Sequence, residues 1–458
     1  MTHQITLHRY SAFLVFAQTV CLCGSLSCVA QAQQSAPAMQ IQAPASSAQT
    51  TSAPSLTVAQ AERIAIRDNP RISVGRLLAL AQAQVTREVR SAEMPMAIGS
   101  LTAADAHDGS RITAGALNNP SIYNRAAGGL TVSQLITDFG RTHNLILSAQ
   151  SGAHAQLENE RATELDITLT VDEAFYQALT AQAVLKVAHQ TVAQRQATVD
   201  QVGALTAQKL RSDLDLSFAN VQLSQAKLLL LDSENNAQAA MASLNAVLGS
   251  ETNPTYTLAD DINTAPELAP QDAEAMVQMA FEHRPDMAAL NDKYKSAQQF
   301  SRAERALSLP TVSAIAAAGG TPVRADQITS PWYGAVGANV DIPIFNGFLY
   351  SARAKEARLH ASAAQEQMRD LRDTIASDVR IAVLQAQAAF QRIGVTQEML
   401  NQSNLALDLA QTRYNIGLSG IVELSQAQLA QTEAEIAYAK ARYAYQTAMA
   451  EMRFQTGQ

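Results

Sequence analysis

Few residues of this chain have types that do chemistry, and most of them stand apart. His107, His143, His154, His189, His283 and His360 are scattered singly, and the three cysteines, Cys21, Cys23 and Cys28, all lie near the start. No histidine pairs with another at a metal-ligand spacing, so the nitrogen–sulfur set that holds zinc is not assembled. The doublets Gly128-Gly129 and Gly319-Gly320 read as loops beside strands and lack the pattern of a phosphate-cradling loop. No acid and base fall into a recognisable pair. These residues call for no catalysis, no cofactor and no metal. Two short stretches do concentrate polar chemistry. One is Lys209-Leu210-Arg211 followed by Asp213 and Asp215; the other runs from Tyr414 through Gly417, Leu418 and Ser419 to Glu423 and Gln426. Both lie where a long helical pattern breaks and resumes. Such a cluster is either a solvated turn, with Arg211 pairing to Asp213 and Asp215, or a surface that meets a partner.

The elements that must position these turns follow from a repeat. Residues 132–249 overlay on 340–457 at a constant offset of 208 without a gap. Val171, Ala178, Leu185, Val192, Val199 and Thr206 then fall on Val379, Ala386, Ile393, Leu400, Leu407 and Tyr414. Spacing of seven sustained this long is a coiled-coil seam. Upstream, Pro70 and Pro95 match Pro285 and Pro310 at an offset of 215. One unit of roughly 200 residues has been duplicated, and duplication dictates architecture before any local pattern does.

The ends and the charge narrow the class. Residues 1–32 read as a secretory signal, with an apolar run after Arg9 and a small-x-small site at Ala30-Gln31-Ala32. Cys28 has Ser25 three positions before it, where an acylated cysteine wants an aliphatic residue. The leader holds one of the 33 basic residues and none of the 41 acidic ones, which leaves −9 beyond it. An acidic balance argues against a nucleic-acid partner. Residues 33–54, rich in Ala, Gln, Ser and Pro, form a flexible lead-in. No segment has the ~20 apolar residues of a spanning helix, so any membrane entry must be made by strands.

Within each repeat the order is two short helices, two strands and a helical hairpin. The first repeat occupies 55–250, a linker 251–270, and the second repeat 271–458. Ser55 is placed to cap the first helix, which stops before Pro70; a second runs from Arg71 to Glu93. The second copy gives helices from Asp272 to His283 and from Asp286 to Leu307. Val336, Ala338, Val340, Ile342 and Ile344 alternate with small or polar residues, the period of a strand. Strands are expected near 96–104, 128–137, 311–318 and 332–345, with 105–128 and 319–331 as loops. The hairpins are expected at 141–248 and 349–456. At ~1.5 Å per residue their long arms reach about 100 Å. Four strands cannot close a transmembrane barrel, which needs at least ~8, so several chains must share one. Trp332 and Tyr333 at a strand start would suit a membrane-interface belt. Toward the tip of the second hairpin Gln397, Asn404 and Gln411 replace apolar residues, as on a solvated face or around a water-filled channel.

Taken together these stretches resemble the TolC-like outer-membrane efflux family. The resemblance covers essentially all of 55–458. It is carried by Leu56-Thr57-Val58-Ala59-Gln60-Ala61 with Asn69-Pro70, by Ser133 through Arg141, by Asp341-Ile342-Pro343-Ile344-Phe345-Asn346-Gly347, and by Tyr414-Asn415-Ile416-Gly417. It implies a mainly α fold with a small β part. Three chains would share a 12-stranded outer-membrane β-barrel and a periplasmic α-helical barrel, as an exit duct for tripartite efflux or type I secretion. The implied partners are two further copies, outer-membrane lipid, a periplasmic adaptor (membrane fusion) protein and an inner-membrane transporter. The helices at Pro70 and Pro285 would form an equatorial belt. By the same resemblance the aperture would be set by Tyr414, Glu423, Gln426, Asp213 and Asp215. The adaptor would meet Lys209, Leu210, Arg211, Gly417, Leu418 and Ser419. The family's basic partner for the tyrosine is missing, because Ser419 stands there, and a ring of like carboxylates would favour cations. The alternatives are a periplasmic coiled-coil adaptor, which generally has one hairpin, and a structural envelope coiled coil, which needs no alternating strand.

Overall fold

The computed structural model describes residues 55–105, 111–114, 117–121, 125–250, 254, 256–260, 272–323 and 329–458. The expected leader with its cysteines, the segment 33–54, most of the 251–270 linker and His107 lie outside the described residues. The first repeat runs β1 (Ser55–Leu56), α1 (Val58–Asp68), α2 (Pro70–Arg90), β2 (Met96–Ala104), β3 (Arg111–Ala114), β4 (Leu117–Ser121), β5 (Arg125–Thr137), α3 (Arg141–Ala207) and α4 (Asp213–Val247). The linker contains β6 (Thr257–Leu258), and the second repeat runs α5 (Ala273–His283), α6 (Pro285–Ala306), β7 (Thr311–Val323), β8 (Trp332–Asp341), α7 (Leu349–Asn415) and α8 (Ile421–Thr456).

Local chemistry sets the boundaries. Thr57, not Ser55, caps α1: its side chain accepts from Gln60 while Gln60 reaches back, a reciprocal capping box. Ser55 is unavailable because β1 pairs in parallel with β6. Asn69 caps α2 and Pro70 takes its first position, where a missing N–H costs nothing. At the strand-to-helix corners two consecutive residues have positive φ, Phe139 and Gly140 before α3, Gly347 and Phe348 before α7. Each corner thus needs only one non-glycine residue in the left-handed region.

The main sheet has the order β2-β5-β7-β8, antiparallel throughout. Two loop expectations are corrected. Part of 105–128 is strand, β3 paired with β4, and β5 begins at Arg125. β7 continues to Val323, so the glycine doublets lie inside the sheet, with Gly128 opposite Gly320 and Gly129 opposite Gly319. The Tyr333 hydroxyl lies over Gly129 and Gly319, and a Cβ on Gly319 would also stand 2.5 Å from the Gly128 carbonyl oxygen, so that position admits only glycine. β8 ends at Asp341 instead of running on to 345; Pro343 cannot donate to a ladder. Strand alternation places Leu130, Val132, Trp332, Val336 and Val340 on one face, and Thr131, Ser133, Ser313, Asn339 and Asp341 on the other. The apolar face is open, with Val336 87% exposed.

The two 67-residue helices α3 and α7 fold back on α4 and α8. At the base of the first hairpin Val171, Phe175, Ala178 and Leu244 bury against Ala61 and Ala65 of α1. At the base of the second, Ile375, Val379, Val383 and Tyr445 bury against Val277 and Ala280 of α5. The hairpins join where Tyr443 of α8 enters the first cluster. Ser148 of α3 and Ser296 of α6 donate to each other's carbonyl oxygens at 2.9 and 2.8 Å. No helix among the described residues is long and apolar enough to cross a membrane.

Candidate functional site

The two hairpin turns share one backbone frame. After α3, Leu210 N–H donates to the Leu205 carbonyl at 2.9 Å and Lys209 N–H to that of Thr206 at 2.9 Å. After α7, Leu418 N–H donates to Arg413 at 2.8 Å and Gly417 N–H to Tyr414 at 3.1 Å. Each is a Schellman closure that turns on one left-handed residue. That residue is Gly417, with φ +79°, in the second turn and Lys209, with φ +57°, in the first.

The return helices start differently. Ser212 caps α4 in a box with Asp215, and Asp213 joins Asp215 in the first turn, beside the positive end of the helix dipole. α8 begins after Gly420 with no side-chain cap. Glu423 in its first turn pairs with Arg413 of α7 at 3.1 Å, both partly exposed. Gln426 points to solvent. Leu210 and Leu418, the outermost apolar residues of the two turns, are 65% and 69% exposed.

Tyr414 is where the turns meet. It is 1% exposed and packs with Val202, Ala219, Ile421 and Leu424, drawn from both hairpins. The Arg211 guanidinium lies 4.4 Å from the Tyr414 ring centre, and its Nη2 donates to the Tyr414 carbonyl at 2.9 Å. Burial pushes the Tyr414 phenol up; Arg211 opposes this and Asp215 adds to it. The phenol oxygen and Ser419 Oγ are buried without a hydrogen-bond partner. Arg211 makes no ion pair with Asp213 or Asp215 among the described residues, so the solvated-turn pairing is not formed.

Two buried polar groups escaped sequence reasoning. About three turns before the end of α3, Arg195 is buried and donates to Gln428 of α8. Gln428 donates to Thr198 at 3.2 Å, and the hydroxyls of Thr191 and Thr432 stand 3.5 Å apart. Spacing of seven puts Arg195 between Ala188 and Val202, both fully buried, and a charge in that column was the available signal. At the base, Asp172 is buried beside Glu62, with Arg453 of α8 at 3.1 Å. Its carboxyl is pushed up to about 7, chiefly by burial and then by the Glu62 charge, against the pull of Arg453. Asp172 Oδ1 finds no donor among the described residues.

Neighbours on β8, Trp332 and Tyr333 fall on opposite faces: Trp332 on the apolar face, leaning over Gly334, and Tyr333 over the Gly129–Gly319 rung. No cluster of three His, Cys, Asp or Glu suited to a metal occurs among the described residues.

The sequence pattern of the outer membrane efflux protein family matches residues 77–250 and 276–458. The chain is 22% identical over 346 residues to outer membrane protein TolC of Salmonella enteritidis, covering 70% of this chain and 67% of that one. Among solved structures it resembles the outer-membrane channel OprN, with a TM-score of 0.76 at 18% identity over 87% of this chain and 89% of that one. The outer membrane protein VceC of Vibrio cholerae gives 0.74 at 18% identity, over 87% and 96%.

Proposed function

The chain belongs to the outer membrane efflux protein family, and from that premise we propose that three copies form one passive exit duct whose gate is the ring of hairpin tips. The sheet carries this reading. It has four strands, two edges and one open apolar face, and a barrel of at least ~8 strands is needed to hide every backbone group from lipid. Antiparallel alternation leaves β8 and β2 running in opposite directions, so β8 of one copy can pair with β2 of the next. Three copies give twelve strands, with the face of Val132, Trp332, Val336 and Val340 toward lipid.

The helices support the same assembly. α4 exposes Leu214, Phe218, Val221 and Leu228 at helical spacing, and α7 exposes Ile381, Leu384, Val395 and Met399. These stripes are exposed on both helices, and packing α4 against α7 of the next copy buries both. Twelve helices then form the tunnel, with Tyr414, Glu423, Gln426, Asp213 and Asp215 around its aperture. Leu210 and Leu418, with Lys209 and Gly417, are the surface that an adaptor would meet, and an inner-membrane transporter would supply the energy.

The test is the native mass of envelope-derived protein with and without detergent. A detergent-requiring particle of three chains in the outer-membrane fraction is expected; a monomer released without detergent would overturn the shared barrel.

A further inference from the structure

The second hairpin lacks a cation to hold its own tyrosine. Arg413 is engaged with Glu423, and Ser419 stands in the register position of Arg211. The cation comes instead from the first hairpin. Arg211 spans the two turns, with its guanidinium over the Tyr414 ring and a hydrogen bond to the Tyr414 carbonyl. The acids near it face α4, where they serve that helix's N-terminus. Of the other polar links between the hairpins, Gln201 to Asn415 at 3.1 Å is exposed and competes with water, and the Arg195–Gln428–Thr198 set lies farther from the tip. The phenol hydroxyl is buried among apolar side chains with nothing to bond.

We infer that Arg211, acting on the ring face and carbonyl of Tyr414, is the latch that ties the two hairpin tips of each chain, and that the Tyr414 hydroxyl takes no part in it. The latch rests on the reading of the tips as the gate. A hydroxyl buried without a partner opposes the packed state, so its removal holds the tips together more firmly. Loss of the guanidinium frees them, and a lysine replaces charge but not the planar fork that stacks and donates at once.

The experiment is single-channel recording of trimers in planar lipid bilayers, for the wild type, Arg211→Ala, Arg211→Lys and Tyr414→Phe, each checked for trimer mass and helicity. Arg211→Ala removes one cation–π contact from each chain and is expected to raise the open-to-closed ratio by at least roughly tenfold. Arg211→Lys should fall between it and the wild type, and Tyr414→Phe should leave the ratio unchanged or lower it. Opening by Tyr414→Phe as large as that by Arg211→Ala would make the hydroxyl the latch and overturn the assignment. A pore whose ratio neither Arg211 variant alters would overturn the latch while leaving the duct standing. A wild-type trimer that forms no pore would overturn the duct and the latch with it. Should Arg211→Ala fail to assemble, Arg211→Lys and Tyr414→Phe still decide.

Discussion

The two hairpin turns close on the same pair of hydrogen bonds, yet they do different things with their side chains. The first turn accepts a lysine where the backbone wants glycine, caps its return helix with Ser212 and Asp215, and sends Arg211 across to its neighbour. The second has glycine at the bend, no cap, and an ion pair confined to itself. Backbone geometry is repeated because helix termination has few solutions; side chains diverged because only they touch the other hairpin. The same holds at the base, where register places buried Asp172 opposite Arg380, an exposed arginine paired with Glu274 at 2.8 Å.

Truncations test that divergence most strongly. Leu424 and Leu216 occupy equivalent positions around Tyr414, but Leu424 is fully buried and Leu216 only partly. Leu424→Ala should weaken the tip by ~2–5 kcal/mol and Leu216→Ala by clearly less, read as hydrogen-exchange protection of the tip segments. Equal losses would mean that the two sites pack alike.

Asp172 gives a pH-shaped effect. Its carboxyl titrates near 7 in the fold and near ~4 when unfolded, so between those values the folded protein holds the extra proton. Its stabilising contribution is complete below about pH 4 and is lost as pH rises through about 7. Asp172→Asn should flatten that fall in Tm between pH 4.5 and 7.5, whereas Arg380→Gln should leave the slope intact. A slope unchanged by Asp172→Asn would show that another group carries it.

The smallest expected effect is at the bends. Lys209→Gly should stabilise the first turn by about 1 kcal/mol, and Gly417→Ala should cost the second about as much, because a Cβ is disfavoured in the left-handed region. Thermal melts that move the same way for both would contradict a shared frame.

Much of this comparison was legible before any coordinates. The sevenfold columns and the constant offset exposed the duplicated hairpins, since a coiled coil writes its seam directly into sequence. The alternation through Val336 and Val340 exposed the sheet. β3 and β4 were not legible, because Leu117-Asn118-Asn119-Pro120-Ser121 is composed like a loop and its pairing is purely local. The glycine doublets misled for the opposite reason: they read as turns, yet they are strand residues, with Gly129 and Gly319 under the ring of Tyr333. At the tip, sequence marked Arg211 as a turn charge but could not give its partner, which lies 203 residues away along the chain. Asp172 and Arg453, 281 residues apart, were hidden in the same way.

Each repeat brings two strands to the main sheet, and an even number has a consequence for symmetry. Six separate half-length chains would join edge to edge as well as three double-length ones, so closure alone does not require the fusion. A ring of six identical halves, however, must carry the same residue at all six bends. In the proposed duct of three copies, fusing the halves lowers the symmetry from sixfold to threefold, and lysine can then alternate with glycine, and a buried acid with an exposed arginine, around one circumference. A single mutation is displayed three times, at every other position, which lets selection tune one set of tips while the other keeps the ring intact.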